Sequence, residues 1–290
     1  MDNDRWTGRE LRAADMPQIT ALLEKARKHE SLFVRAALAQ GTSFNGWWWG
    51  ALKNGSDLAA VMAVENHMGA VYARDEEGAN GFGLELYTQQ KRGGPSNQAN
   101  RHQLLGESKT MAKIWNHVKD IPFRKLLSDR ECELLSCTTR SAECPSSRVE
   151  VTSATRADER VIIDFTAEST LERVQADPRK TNRDGHITRC QSTIASGRQL
   201  IAKEGGRPFF VAEIVSLGPG TALIDHVYIP PHFRARGRLI AAAFWHAAAH
   251  PMIAAGQEPL TLTTDSAIAQ AAKQAGWVRA TGYRWVITLG

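Results

Sequence analysis

Cysteine is scarce in this chain of 290 residues: four in all, Cys132, Cys137, Cys144 and Cys190. The spacing Cys132-x4-Cys137-x6-Cys144 matches no usual zinc-ligand pattern and no histidine lies close by, so no metal site is expected. Nor do four such residues make the framework of a small secreted domain; reduced, mostly buried thiols are the expectation. Long apolar runs are missing as well. The longest, Leu239 to Trp245, is far too short to span a bilayer, so no membrane is expected as a partner. The first residues, Met-Asp-Asn-Asp-Arg, carry charge and no apolar core, which reads as no signal peptide and a cytoplasmic location. Charge of one sign is also lacking. A net charge of +5 and a pI near 9.1 are mildly basic, and suit an anionic small ligand as well as a nucleic acid.

What is present suits one large domain or two ordinary ones. At 42% apolar residues the chain can bury sizeable cores. Residues 9–14 read as a strand ended by Asp15, and Ile19, Leu22, Leu23 and Ala26 mark an amphipathic helix. A second helix, Leu32 to Ala39, closes at Gly41. Trp47-Trp48-Trp49 and Leu58 to Val64 flank Asn54-Gly55, a hairpin signal. Alternation sends Trp47 and Trp49 to one face and Trp48 to the other, which favours core packing over a stacking platform for nucleic acid. Residues 74–100, rich in Gly, Asn, Gln and Ser, read as turn-punctuated and partly mobile. A helix is expected from Glu107 to Val118.

Around Ser141 to Ser147 the composition turns small and polar, and a domain boundary is placed there. The opening order then returns: Val149 to Val151 as a strand, Asp158 as a cap, helices through Ile162 and Phe165 and near Ile187 to Ala195, and a hairpin around Gly205-Gly206. It is a repeat of elements, not of residues. Leu260 to Thr264 reads as a strand, Asp265 caps a helix closed by Gly276, and Trp277-Val-Arg and Tyr283 to Leu289 read as two last strands.

The most informative stretch is Val227-Tyr-Ile-Pro-Pro-His-Phe-Arg234-Ala-Arg-Gly237-Arg-Leu239. A β-branched apolar run stops at Pro230-Pro231, where a central strand cannot continue. A basic loop follows, and then Ile240, Ala243, Phe244 and Ala247 recur at helical spacing. Such a loop aims free backbone N–H groups at one place on the positive end of a helix dipole. Three arginines there are the wrong sign for the dipole and ask for an anionic partner such as phosphate.

These residues resemble the acetyl-CoA loop of the GNAT superfamily of N-acetyltransferases, Arg/Gln-x-x-Gly-x-Gly/Ala. Arg234 and Gly237 fill its first and fourth positions. Leu239 departs at the sixth, where its side chain would crowd the cofactor while its N–H could still donate. The narrower likeness is to bacterial tandem GNAT proteins with a degenerate first copy, carried by Glu172-x-Val174-x-x-Asp177-Pro178-Arg179, Gly197-Arg198 and Phe210-Val-Ala-Glu213. It implies an α/β fold of two tandem GNAT-like domains, each a mixed, mostly antiparallel sheet flanked by helices. Residues 1–140 would be the degenerate copy and 148–290 the acetyl-CoA-binding one. No comparable phosphate loop stands in the first half; Gln90-Lys-Arg-Gly93-Gly94 is the nearest.

The implied function is acetyl-CoA-dependent N-acetyl transfer to a primary amine, on a small molecule or a protein. Val227, Tyr228, Ile229, Arg234, Ala235, Arg236, Gly237, Arg238, Leu239 and Asp265 would hold the cofactor, with backbone amides near Tyr228 and Ile229 meeting the oxyanion. Such transfer needs a base for the ammonium and an acid for the thiolate. GNAT enzymes often place a strand glutamate where this chain has Leu223. Asp225 lies two residues on, on the same side of the strand, and is the first candidate base; Glu213 is the second. For either, a salt-bridged or edge-exposed structural carboxylate stays open. His226 and His232 flank the loop and read as surface. The family's usual tyrosine acid falls on Ala272, leaving Cys190, Tyr228 and Tyr283 as possible substitutes. The alternative is a pseudo-enzyme that binds CoA, or nothing, and acts through its surface; nucleic-acid binding ranks below both.

Overall fold

The structure is a computed structural model that describes residues 5–65, 67–91, 101–119, 121, 125–137, 148–174, 176–218, 220–247 and 252–289. The polar stretch Ser141 to Ser147 and Arg92-Gly93-Gly94-Pro95-Ser96 lie outside these residues. The chain forms two compact units, Met1–Glu133 with Thr281–Gly290, and Leu134–Ala280. The last ten residues, which the sequence reading kept with the second half, thus belong to the first unit.

The first unit runs β1 (Trp6–Leu11), α1 (Met16–Glu24), α2 (Leu32–Ala39), β2 (Trp47–Lys53), β3 (Asp57–Glu65), β4 (Met68–Ala73), α3 (Glu76–Lys91), β5 (Arg101–Glu107) and α4 (Ser108–Val118). Strand β6 (Lys125–Ser136) follows and reaches into the second unit. The sheet order is β1-β2-β3-β4-β5, with β12 (Val278–Leu289) next to β5. Pairing is antiparallel except between β4 and β5. Asn54 and Gly55 both take positive φ and turn β2 into β3, as the Asn-Gly signal requires. Trp48 packs into the face covered by α1 and α2, with Ile19, Leu22, Leu23 and Val34. Trp49 packs into the opposite face with Phe82, Met111 and Ile114, while Trp47 stays 44% exposed.

Residues 76–91 are a helix and not the turn-rich segment their glycines suggested. The glycines are there for close approach. A Cβ on Gly81 would lie 2.2 Å from the Trp6 indole, one on Gly78 2.8 Å from the Ala59 carbonyl, and one on Gly83 2.9 Å from His117. Packing against β1, β3 and α4 holds a helix that its glycines would weaken in isolation.

The second unit repeats the order with β7 (Val149–Ser153), α5 (Glu159–Val174), α6 (Pro178–Thr181), α7 (Arg183–Ala195), β8 (Gln199–Glu204), β9 (Arg207–Ser216), β10 (Thr221–Tyr228), α8 (Pro231–Arg234), α9 (Gly237–Ala247), β11 (Glu258–Thr263) and α10 (Ser266–Gln274). The sheet order is β11-β10-β9-β8-β7, with the end of β6 beside β11. Only β10 and β11 among these registers run parallel. Alternating residues split between two cores: Ile201, Val211 and Tyr228 meet α5 and α7, and Ala202, Phe210, Ala222 and Ile224 meet α9 and α10. The element order returns as expected, and so does a local device. Asp158 accepts the Thr155 N–H before α5, as Asp15 accepts the Arg12 N–H before α1. The two last strands expected around Trp277 and Tyr283 are one, β12.

Candidate functional site

Strands β10 and β11 pair in parallel from Thr221↔Glu258 to Ile224↔Thr261 and no further. Thr261 Oγ1 marks the last joined rung, donating to the Ile224 carbonyl at 2.9 Å. On its other edge β10 shifts register against β9 between Asp225 and Tyr228. The irregularity is a bulge at His226, whose φ of 51° is uncommon for a non-glycine residue but several-fold enriched for His over most. Beyond it β10 continues through Val227 and Tyr228 without a partner on the β11 side, and Ile229 and Pro230 lead into the loop. A strand pair that parts in this way leaves an edge of unsatisfied backbone groups for a ligand.

The loop supplies the other half of the site. Leu239 does not crowd it: the side chain is 5% exposed and sits in the core with Ile240 and Phe244. Its N–H and that of Arg236 are also committed, to the carbonyls of Arg236 and Phe233 at 2.9 Å each. Gly237 and Arg238 open α9, so theirs are the amides that a helix start leaves unpaired. Most glycines of the chain have a reason inside it, a positive φ or a neighbour within 3 Å of a Cβ. Gly237 has neither; a Cβ would meet only Gln274 Oε1, at 3.8 Å. The space in front of it is open, which fits a phosphate brought close to the backbone.

Two of the three loop arginines are paired in this structure. Arg234 donates through Nε to the Ile229 carbonyl at 2.9 Å and through Nη2 to both Glu172 oxygens at 2.8 and 2.7 Å. Its guanidinium carbon lies 5.7 Å from the Tyr228 ring centroid. Arg236 meets Glu204 at 2.7 Å. Arg234 therefore braces the loop against α5, and Arg238 is the exposed arginine of the three that makes no ion pair among the described residues. Ala235 caps the short α8, and Asp265 caps α10, its Oδ1 accepting from Ala267 and Ile268 N–H at 2.8 and 3.2 Å.

The candidate acids come together. Asp225 and Glu213 are directly opposed across β10 and β9. Glu213 is buried and holds Arg189 Nη2 at 3.1 Å and Arg198 Nη1 at 3.5 Å. Asp225 is more open; its Oδ1 accepts the His226 N–H at 2.7 Å. His226, set aside as surface, is the member the sequence reading missed. The bulge turns its ring to Arg189, 2.9 Å away, and to Glu213 and Asp225 at 4.0 and 3.6 Å. Arginine can only donate, so the short contact requires a neutral imidazole accepting at Nε2. The longer contacts to the carboxylates are then not ion pairs. Thr166, Ser169 and Thr170 of α5 and Cys190 of α7 close a narrow cleft over this group.

None of the three possible acid substitutes is well placed. Tyr228 OH donates to Glu168 Oε2 at 2.5 Å, and burial and then that carboxylate hold its proton well above the ordinary tyrosine range. Burial pushes the Cys190 thiol up, against a smaller opposing effect of the Thr166 hydroxyl. Tyr283 belongs to the first unit, where its hydroxyl donates to the His29 carbonyl at 2.6 Å. Ala272 is fully buried.

In the first unit the equivalent crossover is β4 to α3, and its chemistry is reversed. Asp75 Oδ1 accepts the Gly78 N–H at 2.7 Å, and Glu76 and Glu77 form the first turn. An internal carboxylate already caps that helix start, Glu76 and Glu77 are paired with Lys113 and Lys53, and acids stand where the second unit has its basic loop.

Solved structures that resemble the chain over nearly its whole length include acetyltransferases. A GCN5-related N-acetyltransferase from Sphaerobacter thermophilus matches with a TM-score of 0.62 at 14% identity, covering 99% of this chain and 96% of its own. The fold is that of the GNAT acetyltransferases. A structural-genomics protein from Drosophila matches this chain with a TM-score of 0.63 at 12% identity, covering 98% of each. A GNAT-family acetyltransferase from Colwellia psychrerythraea matches with 0.53 at 11%, again over 98% of each. No family model and no curated protein matches the sequence. Among the described residues no helix is long and apolar enough to cross a membrane, and no cluster of His, Cys, Asp and Glu could hold a metal.

Proposed function

We propose that the protein is an acetyl-CoA-dependent N-acetyltransferase acting on a primary amine, with the cofactor held by the second unit alone. The observation that carries this is Gly237: an open, negative-φ glycine at the start of α9, beside the point where β10 and β11 part. The residues fit the group. Gly237 and Arg238 amides and the Arg236 and Arg238 guanidiniums would take the pyrophosphate, and the free edge of Val227 to Ile229 the pantetheine arm. Arg234 keeps the loop in place through Glu172, and Asp265 caps the start of α10.

Acetyl-CoA, as co-substrate, supplies an acyl thioester. The chain's own residues orient the amine and move its proton. Asp225 is the better base of the two carboxylates, because Glu213 is buried between two guanidiniums. His226 would pass the proton only after Arg189 releases its Nε2. Backbone N–H groups at the parted edge near Tyr228 and Ile229 would stabilise the oxyanion. The residues 1–140 act as a degenerate copy without cofactor, with Asp75, Glu76 and Glu77 in place of the basic loop.

A second reading, a CoA-binding pseudo-enzyme, is favoured by one observation: Ala272 is buried where an acid would stand, and among the described residues none of Cys190, Tyr228 and Tyr283 takes its place. CoA release against a panel of amines and lysine peptides separates the two. Turnover above acetyl-CoA hydrolysis supports the transferase; tight CoA binding with none supports the pseudo-enzyme. Absence of any CoA binding, by thermal shift and native mass spectrometry, sinks both.

A further inference from the structure

A second cleft of about 830 Å³ lies in the same unit, between the start of α5 and helices α6 and α7. It is an open concavity, of a volume that a small molecule could occupy. Four arginines line it: Arg156, Arg160, Arg179 and Arg183. Arg179 is fixed, donating to Asp177 at 2.9 Å with Asp164 3.7 Å away. Arg156, Arg160 and Arg183 are different. Among the described residues their side chains make no hydrogen bond and no ion pair, although the chain has 31 carboxylates and pairs many other arginines. The wall also carries two acids, Glu159, which accepts from Gln191 at 2.9 Å, and Asp164, which faces Arg179; neither forms an ion pair with these three arginines.

Placement adds to this. Arg160 stands in the first turn of α5 and Arg183 opens α7, the helix ends at which a cation is disfavoured. The three are exposed, and guanidiniums set there against the dipole, around an open concavity, offer forked donors that suit phosphate or carboxylate oxygens.

Helix α5 links this cleft to the reaction site. Glu172 holds the cofactor loop, Thr166 and Thr170 face the narrow cleft with Glu213 and His226, and Arg160 and Ile163 face the arginines. His186 lines both clefts. At 1.5 Å per residue, Arg160 and Thr166 are on the order of 10 Å apart along the axis. We propose that the arginine cleft binds the anionic end of the acceptor, so that the substrate class is an amine that also carries a phosphate or carboxylate. This inference rests on the transferase reading for the word acceptor, but the anion site itself does not.

The test crosses two variants of the full chain, Arg160→Glu with Arg183→Glu in the cleft and Arg236→Ala with Arg238→Ala in the loop. Binding of inorganic pyrophosphate, citrate and CoA is measured by calorimetry for each. Loss of hydrogen bonds to charged groups should weaken pyrophosphate or citrate at least about tenfold in the cleft variant and leave its CoA affinity unchanged. The loop variant should do the reverse for CoA and keep a saturable small-anion site. Whichever of pyrophosphate and citrate binds more tightly tells phosphate from carboxylate. If the cleft variant does not fold, Arg160→Lys with Arg183→Lys keeps the charge, loses the fork and should still weaken the anion. With turnover in hand, the cleft variant should raise KM for an anionic amine and not for a neutral one. Small-anion binding that is absent, or lost only in the loop variant, overturns the proposal. So does a single-stranded oligonucleotide that binds the cleft while both small anions do not. Loss of CoA binding everywhere, with the cleft effect intact, refutes the transferase reading and leaves the anion site standing.

Discussion

Gly237→Ala should move stability and ligand binding in opposite directions. The added Cβ has only Gln274 Oε1 near it, at 3.8 Å, and φ is not in the left-handed region. Nothing in the protein resists the methyl group. Reduced freedom of the unfolded chain should then stabilise the free protein by about 0.4–1 kcal/mol. For a unit of this size that is a rise in Tm of roughly 1–4 °C. CoA meets the opposite effect, because the methyl group takes the space a phosphate oxygen needs beside the Gly237 and Arg238 amides. Loss of one hydrogen bond to a charged group, about 1.5–3 kcal/mol, weakens binding by roughly ten- to a hundredfold. At a ligand concentration of about a hundred times the wild-type Kd, the stabilisation of roughly 2.7 kcal/mol should fall to about 1.4, or to about 0.4 at the larger loss. Scanning fluorimetry with and without CoA, backed by calorimetry, reads both halves. A lower Tm for the free variant, or an unchanged CoA shift, refutes the placement of the phosphate at Gly237.

Asp225→Asn should lower turnover by about 10²–10⁴ with little change in Tm, while Glu213→Gln should cost stability first, by about 1–3 kcal/mol, by leaving Arg189 and Arg198 short of a buried partner; paired pH–rate and melting profiles check both. Ala272→Tyr should destabilise by about 1–3 kcal/mol or more and add no acid, because the site is fully buried. Asp158→Asn should cost about 1 kcal/mol at neutral pH by weakening the hydrogen bonds that its carboxylate accepts from Thr155 and Lys203. Burial raises the Asp158 carboxyl, but the Lys203 and Thr155 hydrogen bonds outweigh it and hold the group below the ordinary range. Its contribution is therefore complete above that ordinary value and lost as pH falls through the lowered one, so the penalty in chemical-denaturation curves should shrink on acidification. Gly81→Ala should cost about 1–3 kcal/mol, since a Cβ there lies 2.2 Å from the Trp6 ring; a silent substitution in a denaturation curve would deny that close packing holds α3.

Much of the fold was legible because its elements carry strong local signals. Apolar period, the Asn54-Gly55 turn, the Pro230-Pro231 stop and the glycines closing α2 and α7 each act over a few residues. Helix α3 was hidden because a glycine in sequence reads as freedom, and only the Trp6 and Ala59 atoms on other elements reveal it as a fit. The loop was legible, and its arginines were, but the partners that hold two of them were not. Glu172 lies 62 residues from Arg234, and Glu204 lies 32 from Arg236. Such pairings depend on packing, not on local pattern. His226 was missed for a related reason: a lone histidine in a strand says nothing of a bulge. The one signal was its place beside Asp225, just before the strand must end.

The first unit takes its strand next to β5 from Tyr283 to Leu289, so its two pieces are separated in the chain by the whole of the second unit. On the ribosome this orders events. Residues up to Glu133 emerge first and can form β1 to β5 with their helices, but the β5 edge stays open until the last strand is made. An open edge is a template for other chains, and nascent domains fold in order from the N-terminus. The unit that starts first must therefore finish last. A protein cut short before Tyr283 would keep its basic loop and lose the closure of the unit that has none, and it should be found among aggregates or bound to chaperones.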